Sequence, residues 1–237
     1  MIKLRISRGF DKSNTPEPFD SIVLSSGNVY SIIGKTGSGK TQLIEDIESI
    51  ADGDGITKRT IQVSGDPFNI AHLSQNMNFV LDLTVRDFIK LRLKSMKDSQ
   101  EAINDFLKTA NELCGEKILE SDLLTQLSGG QSRSLMIADI AYNPNAGIIL
   151  IDEIENAGID KVKALSLLIQ HKKLIIVITH DPLLALYGNK RILMQNGAIH
   201  KLIDRSDHEL QMVNVLYKQH LEFEAIRDNL RKGYSLI

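Results

Sequence analysis

The sequence predicts an α/β fold with a mainly parallel sheet, antiparallel strands near the N-terminus and a helical insert. Three observations carry that prediction. Short apolar runs at Val29–Ile33, 147–151 and 174–179 show no polar alternation, as strands buried on both faces require. Helix-like stretches separate them, and each run ends in polar residues: Gly34, then Asp152 with Glu153, then His180. Parallel strands bring such ends to one edge of the sheet, where open α/β proteins place their chemistry. Residues 82–145 read as almost all helix, set inside that frame.

The chain of 237 residues is 42% hydrophobic and 24% charged, enough for one large domain with a smaller lobe. The expected division is an α/β core over 1–81 and 146–205, a helical lobe over 82–145 and a C-terminal helix over 206–237. A net charge of −2 argues against a general nucleic-acid surface. Cys114 is the single cysteine, so an internal disulfide and a cysteine metal site are excluded; a buried apolar role in a reducing cytoplasm is expected. No window has the eighteen or so apolar residues of a membrane helix, and residues 1–10 lack the apolar core of a secretory signal. Action at a membrane would therefore go through a partner.

Lys3–Ser7 alternates charged and apolar residues like an edge strand, and residues 21–24 suggest another. Between them residues 11–18 hold two prolines and form a loop, with Phe10 at its entrance, placed either to stack on a base or to pack. A helix over 42–50, a turn over 52–55 and short strands over 60–63 and 70–73 follow, the last ending at Ser74 and Gln75. Thr84 with Asp87 forms an N-cap pattern for a helix to about residue 96, and a second helix opens near Ser99 with Ile103, Phe106, Leu107 and Ala110 on one face. A third runs to Tyr142, ended by Asn143 and Pro144, and a fourth covers 160–171. Asn196-Gly197 between strands at 191–194 and 198–202 is a strong hairpin signal. The tail opens on a Ser206/Glu209 capping box and carries an apolar stripe of Leu210, Val213, Tyr217 and Leu221, expected to pack on the body up to a stop near Gly233.

The chemistry begins after the first buried strand. Gly34, Lys35, Thr36, Gly37, Ser38, Gly39, Lys40 and Thr41 fit the pattern G-x-x-x-x-G-K-[S/T] between a strand and a helix. Its glycines let backbone N–H groups turn inward to a phosphate, and the helix adds its positive dipole end. Lys40 then serves the β- and γ-phosphates and Thr41 a Mg²⁺ ion, so a nucleoside triphosphate is the expected ligand. Asp152 is placed to hold the metal, and Glu153 beside it to take a proton from attacking water. At its own strand end His180 can contact the γ-phosphate, and Gln75 can bridge the water or the metal to the helical insert. Leu127, Ser128, Gly129, Gly130 and Gln131 open a helix and form a second anion site. One triphosphate does not need two such sites. A two-fold dimer resolves this, each nucleotide lying between the lysine loop of one subunit and the serine-glycine turn of the other.

With these motifs in this order the chain resembles the ATP-binding cassette (ABC) ATPases over about residues 2–202. Residues 34–41 look like the Walker A loop, Gln75 like the Q-loop glutamine, and 127–131 like the LSGGQ signature. Ile148 to Asp152 look like Walker B, with Glu153 as catalytic glutamate, Asp160 as the D-loop aspartate and His180 as the switch histidine. Phe10 takes the place of the aromatic that stacks on adenine. The resemblance implies a head-to-tail dimer closing on two ATP molecules with Mg²⁺ and reopened by hydrolysis. In it Glu153 would be the general base, Lys40 and His180 the γ-phosphate contacts, and Thr41, Gln75 and Asp152 the metal shell. Ser128, Gly129 and Gly130 would act on the opposite subunit's nucleotide.

Departures from transporter cassettes fall after the acidic pair, where Ile154 to Asp160 runs one residue long. They also fall after the signature, where Arg133-Ser134 and Asp139 replace a Gln-Arg pair and an arginine. Two functions follow: the ATPase subunit of a transporter with separate permease subunits, peripheral at the inner face of the cell membrane; or a soluble ABC ATPase that drives protein remodelling or cofactor assembly.

Overall fold

The computed structural model describes residues 1–65, 69–74, 79–93, 100–154 and 158–235. Strand β1 (Lys3–Ser7) pairs antiparallel with β2 (Ser21–Ser25), Leu4 opposite Leu24. The chain then leaves this sheet as β3 (Val29–Ile33), turns through residues 34–39 into helix α1 (Lys40–Glu48), and returns as β4 (Ile61–Ser64) on the other side of β1. The small sheet is thus antiparallel, in the order β2-β1-β4.

The larger sheet holds β5 (Asn69–Leu73), β6 (Ala146–Asp152), β7 (Leu174–Ile178), β8 (Lys190–Gln195) and β9 (Ala198–Asp204), with β3 in its interior. Its order is β5-β6-β7-β3-β8-β9; all neighbours are parallel except the β8–β9 hairpin. The expectation of a mainly parallel sheet with antiparallel N-terminal strands is met.

The unbroken apolar runs have a simple cause. Side chains alternate between sheet faces, and here both faces are covered. Ile148, Leu150, Ile176 and Ile178 join Leu4, Ile6 and Leu24 of the small sheet and Leu43, Ile44 and Ile47 of α1 in one core. Ile149, Ile151, Ile175 and Val177 face the other way, toward three further helices: α4 (Gly129–Tyr142), α5 (Lys161–Gln170) and α6 (Pro182–Tyr187).

A third core lies among α2 (Val85–Leu93), α3 (Gln100–Leu113) and α4, around Phe88, Ile89, Phe106 and Leu124. Helix α4 serves two cores at once. Its Leu135 and Ala138 enter the helical cluster, while Ile137, Ile140 and Ala141 pack on the sheet side. Thr84 caps α2 as expected, its hydroxyl accepting the Asp87 N–H at 3.1 Å.

Three details differ from the sequence expectation. Helix α6 is additional, and its start was legible: Asp181 is the N-cap and Pro182 occupies the first turn. Cys114 is half-buried rather than buried, bridging to Ile159. The tail helix α7 (Asp207–Arg231) packs by only part of its stripe. Val213 is buried, with Leu216 and Tyr217 beside it, whereas Leu210 and Leu221 are exposed. The described part of α2 ends at Leu93, so the expected extension to residue 96 lies outside the described residues, as does Gln75.

Candidate functional site

The loop between β3 and α1 takes its shape from its glycines. Gly37 and Gly39 have φ of 75° and 97°, values that side chains resist. A Cβ on Gly39 would meet the Gly197 Cα at 2.8 Å, so the loop is pressed against the β8–β9 turn. The Gly197 N–H donates to the Ser38 carbonyl at 2.9 Å and locks that contact. Gly39 is the N-cap of α1 and offers no side-chain acceptor, which leaves the first N–H groups of the helix for a ligand. Lys40 is 9% exposed and folds back on the loop, its ammonium donating to the carbonyls of Gly34 (3.0 Å) and Lys35 (3.3 Å).

A cleft of about 350 Å³ lies in front of this loop, and Thr36, Gly37, Gly39, Lys40, Thr41, Asp152, Glu153 and His180 all line it. Gly34, Lys35 and Ser38 line a neighbouring depression with residues 193–196. Three parallel strands bring these groups together. Asp152 ends β6, opposite Ile178 at the end of β7, and Ile178 is opposite Ile32 of β3. The Glu153 N–H then donates to the Ile178 carbonyl at 3.2 Å. Glu153 has a φ of 50°, a left-handed conformation for a residue with a side chain. Such a backbone costs on the order of 1 kcal/mol, and the ordered strand ends hold it in place.

His180 is exposed in the cleft, and its position is set by its neighbour. Asp181 caps α6, accepting the N–H groups of Leu183 (2.8 Å) and Leu184 (3.2 Å), and its own N–H donates to the Thr179 hydroxyl at 2.9 Å. Its carboxylate also pairs with Lys161, the first residue of α5. Burial opposes ionisation of Asp181, but the Lys161 ammonium and the two cap N–H groups outweigh it and hold the carboxyl below its ordinary value. This pair ties the start of α5, which follows Asp160, to the residue after His180.

Two contributors had no local signal in the sequence. Lys12 lines the cleft, and its ammonium donates to the Gly37 carbonyl at 3.1 Å. Behind the loop Arg59 is 1% exposed and bonds Glu17 (2.5 Å), Asp46 of α1 (3.0 Å) and the Gly197 carbonyl (3.2 Å). Glu17 in turn accepts from the N–H groups of Gly9 (2.7 Å) and Ile199 (2.5 Å). A buried arginine between two carboxylates is satisfied on every side and fixes α1, the β8–β9 turn and the loop after Phe10 as one body.

Other expected site residues stand apart from the cleft. Phe10 is half-buried and bridged to Pro16, with the Lys58 ammonium 5.1 Å from its ring centroid. Ser128 caps α4: its hydroxyl accepts the Gln131 N–H (3.3 Å), and the Gln131 carboxamide oxygen accepts the Ser128 N–H (2.9 Å). The Gln131 amide also donates to the Lys117 carbonyl at 3.0 Å, so its side chain is engaged within its own chain. Gly129 has open space beside its Cα. Asp160 caps α5, accepting from the N–H groups of Val162 and Lys163. None of Ser128, Gly129, Gly130, Gln131 or Asp160 lines the cleft that holds Lys40.

The profile of the ABC transporter family matches residues 20–156. An ABC transporter ATP-binding protein of Methanocaldococcus jannaschii is 44% identical over 99% of this chain and 94% of its own length. The bacitracin export ATP-binding protein BceA of Halalkalibacterium halodurans is 29% identical, over 80% of this chain and 81% of its own. The dimeric structure of an ATP-binding cassette in a post-hydrolysis state, bound to ADP and Pi, shares the fold. It has a TM-score of 0.58 at 21% identity and covers 87% of this chain and 99% of that one. With a lysine loop, an acidic pair and a histidine gathered at one sheet edge, and with these relatives, the chain belongs to the ABC transporter family and is one of its ATP-binding ATPases.

Proposed function

We propose that this ATPase hydrolyses MgATP as a head-to-tail homodimer and powers a separate transporter permease. The convergence of Lys40, Thr41, Asp152, Glu153 and His180 on one cleft carries the catalytic part of this reading. Lys40 exchanges its bonds to the Gly34 and Lys35 carbonyls for the phosphates, a short movement of a side chain already aimed at the loop. Water attacks the γ-phosphorus as the bond to the bridging oxygen breaks, and Glu153 takes the proton. His180 contacts the γ-phosphate, and its tether through Asp181 and Lys161 carries its position to α5.

The donor set fits Mg²⁺. Among the described residues no cluster of three acidic, histidine or cysteine side chains forms a metal site by itself. Thr41 and Asp152 line the cleft and, with Gln75, would offer the ion one carboxylate and neutral oxygens, the ligand type it takes. Mg²⁺ would neutralise charge on the phosphates.

The dimer reading rests on Ser128, Gly129, Gly130 and Asp160, which lie at helix starts away from their own subunit's cleft and are assigned to the partner's nucleotide. The export name of one relative supports transport. No described helix is long and apolar enough to cross a membrane. In the transport reading, separate membrane subunits hold the ATPase at the inner face of the cell membrane. One observation favours the soluble alternative, protein remodelling or cofactor assembly. On the helical lobe Asp139 stands where transporter cassettes carry arginine, and it pairs with Arg92 at 2.5 Å. The membrane subunits or soluble proteins that stay bound on purification separate the two.

The experiment is Glu153→Gln. It should leave ATP binding unchanged, slow hydrolysis by about a hundredfold or more, and trap an ATP-bound dimer. Normal turnover in this variant would remove Glu153 from its role.

A further inference from the structure

We infer that the free half of α7 is a short coiled-coil seam that pairs, parallel and in register, with the same helix of a second copy. The inference rests on the head-to-tail dimer proposed above and adds a contact outside its nucleotide sites. The first half of α7 is held by Val213, Leu216 and Tyr217 against Val162 of α5 and Leu183 of α6. Those two residues lie in the first turns after Asp160 and His180, so α7 leaves the body beside the face that the two subunits would share.

Beyond Tyr217 the body-facing line of the helix becomes polar, with His220, Glu224 and Arg227. Its apolar side turns elsewhere: Phe223, Ile226 and Leu230 are 68%, 41% and 54% exposed. With Gln219 they repeat at steps of 4, 3 and 4. That is a heptad seam, lying roughly a quarter-turn from the packed face at about 100° per residue. Gln219 is its one polar member, and a polar residue in the seam costs stability.

The flanking charges identify the occupant. Glu222 borders the seam on one side and Arg227 on the other. In a parallel pair each Glu222 faces Arg227 of the opposite helix, whereas an antiparallel pair sets like flanks together. Arg227 now bonds Glu224 of its own helix at 2.6 Å, and its guanidinium has further donors for a second carboxylate. About two heptads are too short to associate unaided. Held at the high local concentration of an ATP-closed dimer, they suffice.

The test is cysteine cross-linking in full-length protein with Cys114→Ser and Glu153→Gln, plus MgATP, under mild oxidation. Ile226→Cys lies in the seam, and Leu221→Cys lies roughly half a turn away on the same helix. The seam predicts that Ile226→Cys converts most of the protein to a disulfide-linked dimer and that Leu221→Cys stays near background. Adding Glu222→Arg should lower the Ile226→Cys yield several-fold, and adding Arg227→Glu as well should restore it. No cross-link at Ile226→Cys, or equal yields at the two positions, overturns the seam. Sedimentation of the same variants under reducing conditions reads the head-to-tail dimer independently: an ATP-dependent dimer that gives no Ile226→Cys link on oxidation rejects the seam alone. If no ATP-dependent dimer forms, the head-to-tail reading fails, and the seam, which needs that dimer to bring its two helices together, fails with it.

Discussion

Asp181 shows how much one side chain can organise beside a reacting group. It caps α6, meets the Lys161 ammonium and fixes the residue that follows His180. Asp181→Ala removes the cap and leaves Lys161, 7% exposed, without its anion, so a loss of about 2 kcal/mol is expected in urea unfolding. Asp181→Asn keeps the cap and loses only the charge, and should cost less. The pH dependence has a definite sign. The folded carboxyl titrates below its unfolded value, so its contribution is present above about pH 4 and is lost as the pH falls through the folded value. The stability difference between wild type and Asp181→Asn should therefore shrink under acid; a difference unchanged down to pH 2 would contradict the assignment. The lysine loop, the acidic pair and His180 were legible because each follows a recognisable strand. The left-handed backbone of Glu153 was not, since nothing in its residue type calls for φ of 50°.

At the scale of elements, the phosphate loop depends on what is packed behind it. Arg59→Met would leave Glu17 and Asp46, 3% and 4% exposed, without their cation, a loss of about 3 to 5 kcal/mol. Gly39→Ala should weaken ATP binding by at least about tenfold: its φ is unfavourable for alanine, and its Cβ would press on Gly197. Unaltered affinity by nucleotide titration would show that the loop yields more readily than its contacts imply. Core strands and amphipathic helices were readable from periodicity, because burial on one or both faces leaves a local pattern. The Glu17–Arg59–Asp46 cluster was not, because its members lie in three separate segments joined only by the folded chain. Helix α7 shows the opposite limit: its stripe was visible, but which part of it meets the body depends on where α5 and α6 end up.

For the whole molecule, the decisive fact is that one subunit holds the lysine loop, the acidic pair and the histidine in one cleft while its serine-glycine helix start lies elsewhere. Sharing nucleotides between two copies gives both halves a role, and a mixed dimer tests that directly. Lys40→Ala disables a subunit's own loop. Gly129→Asp puts a carboxylate at the start of α4, where open space and the helix dipole accommodate it within the subunit but a partner's triphosphate would be repelled. Each variant alone should lose nearly all hydrolysis. In heterodimers of the two, one site combines both defects and the other is intact, so single-turnover hydrolysis should return to about half of the wild-type amplitude. Verified heterodimers with no recovered hydrolysis would contradict a nucleotide shared across the interface.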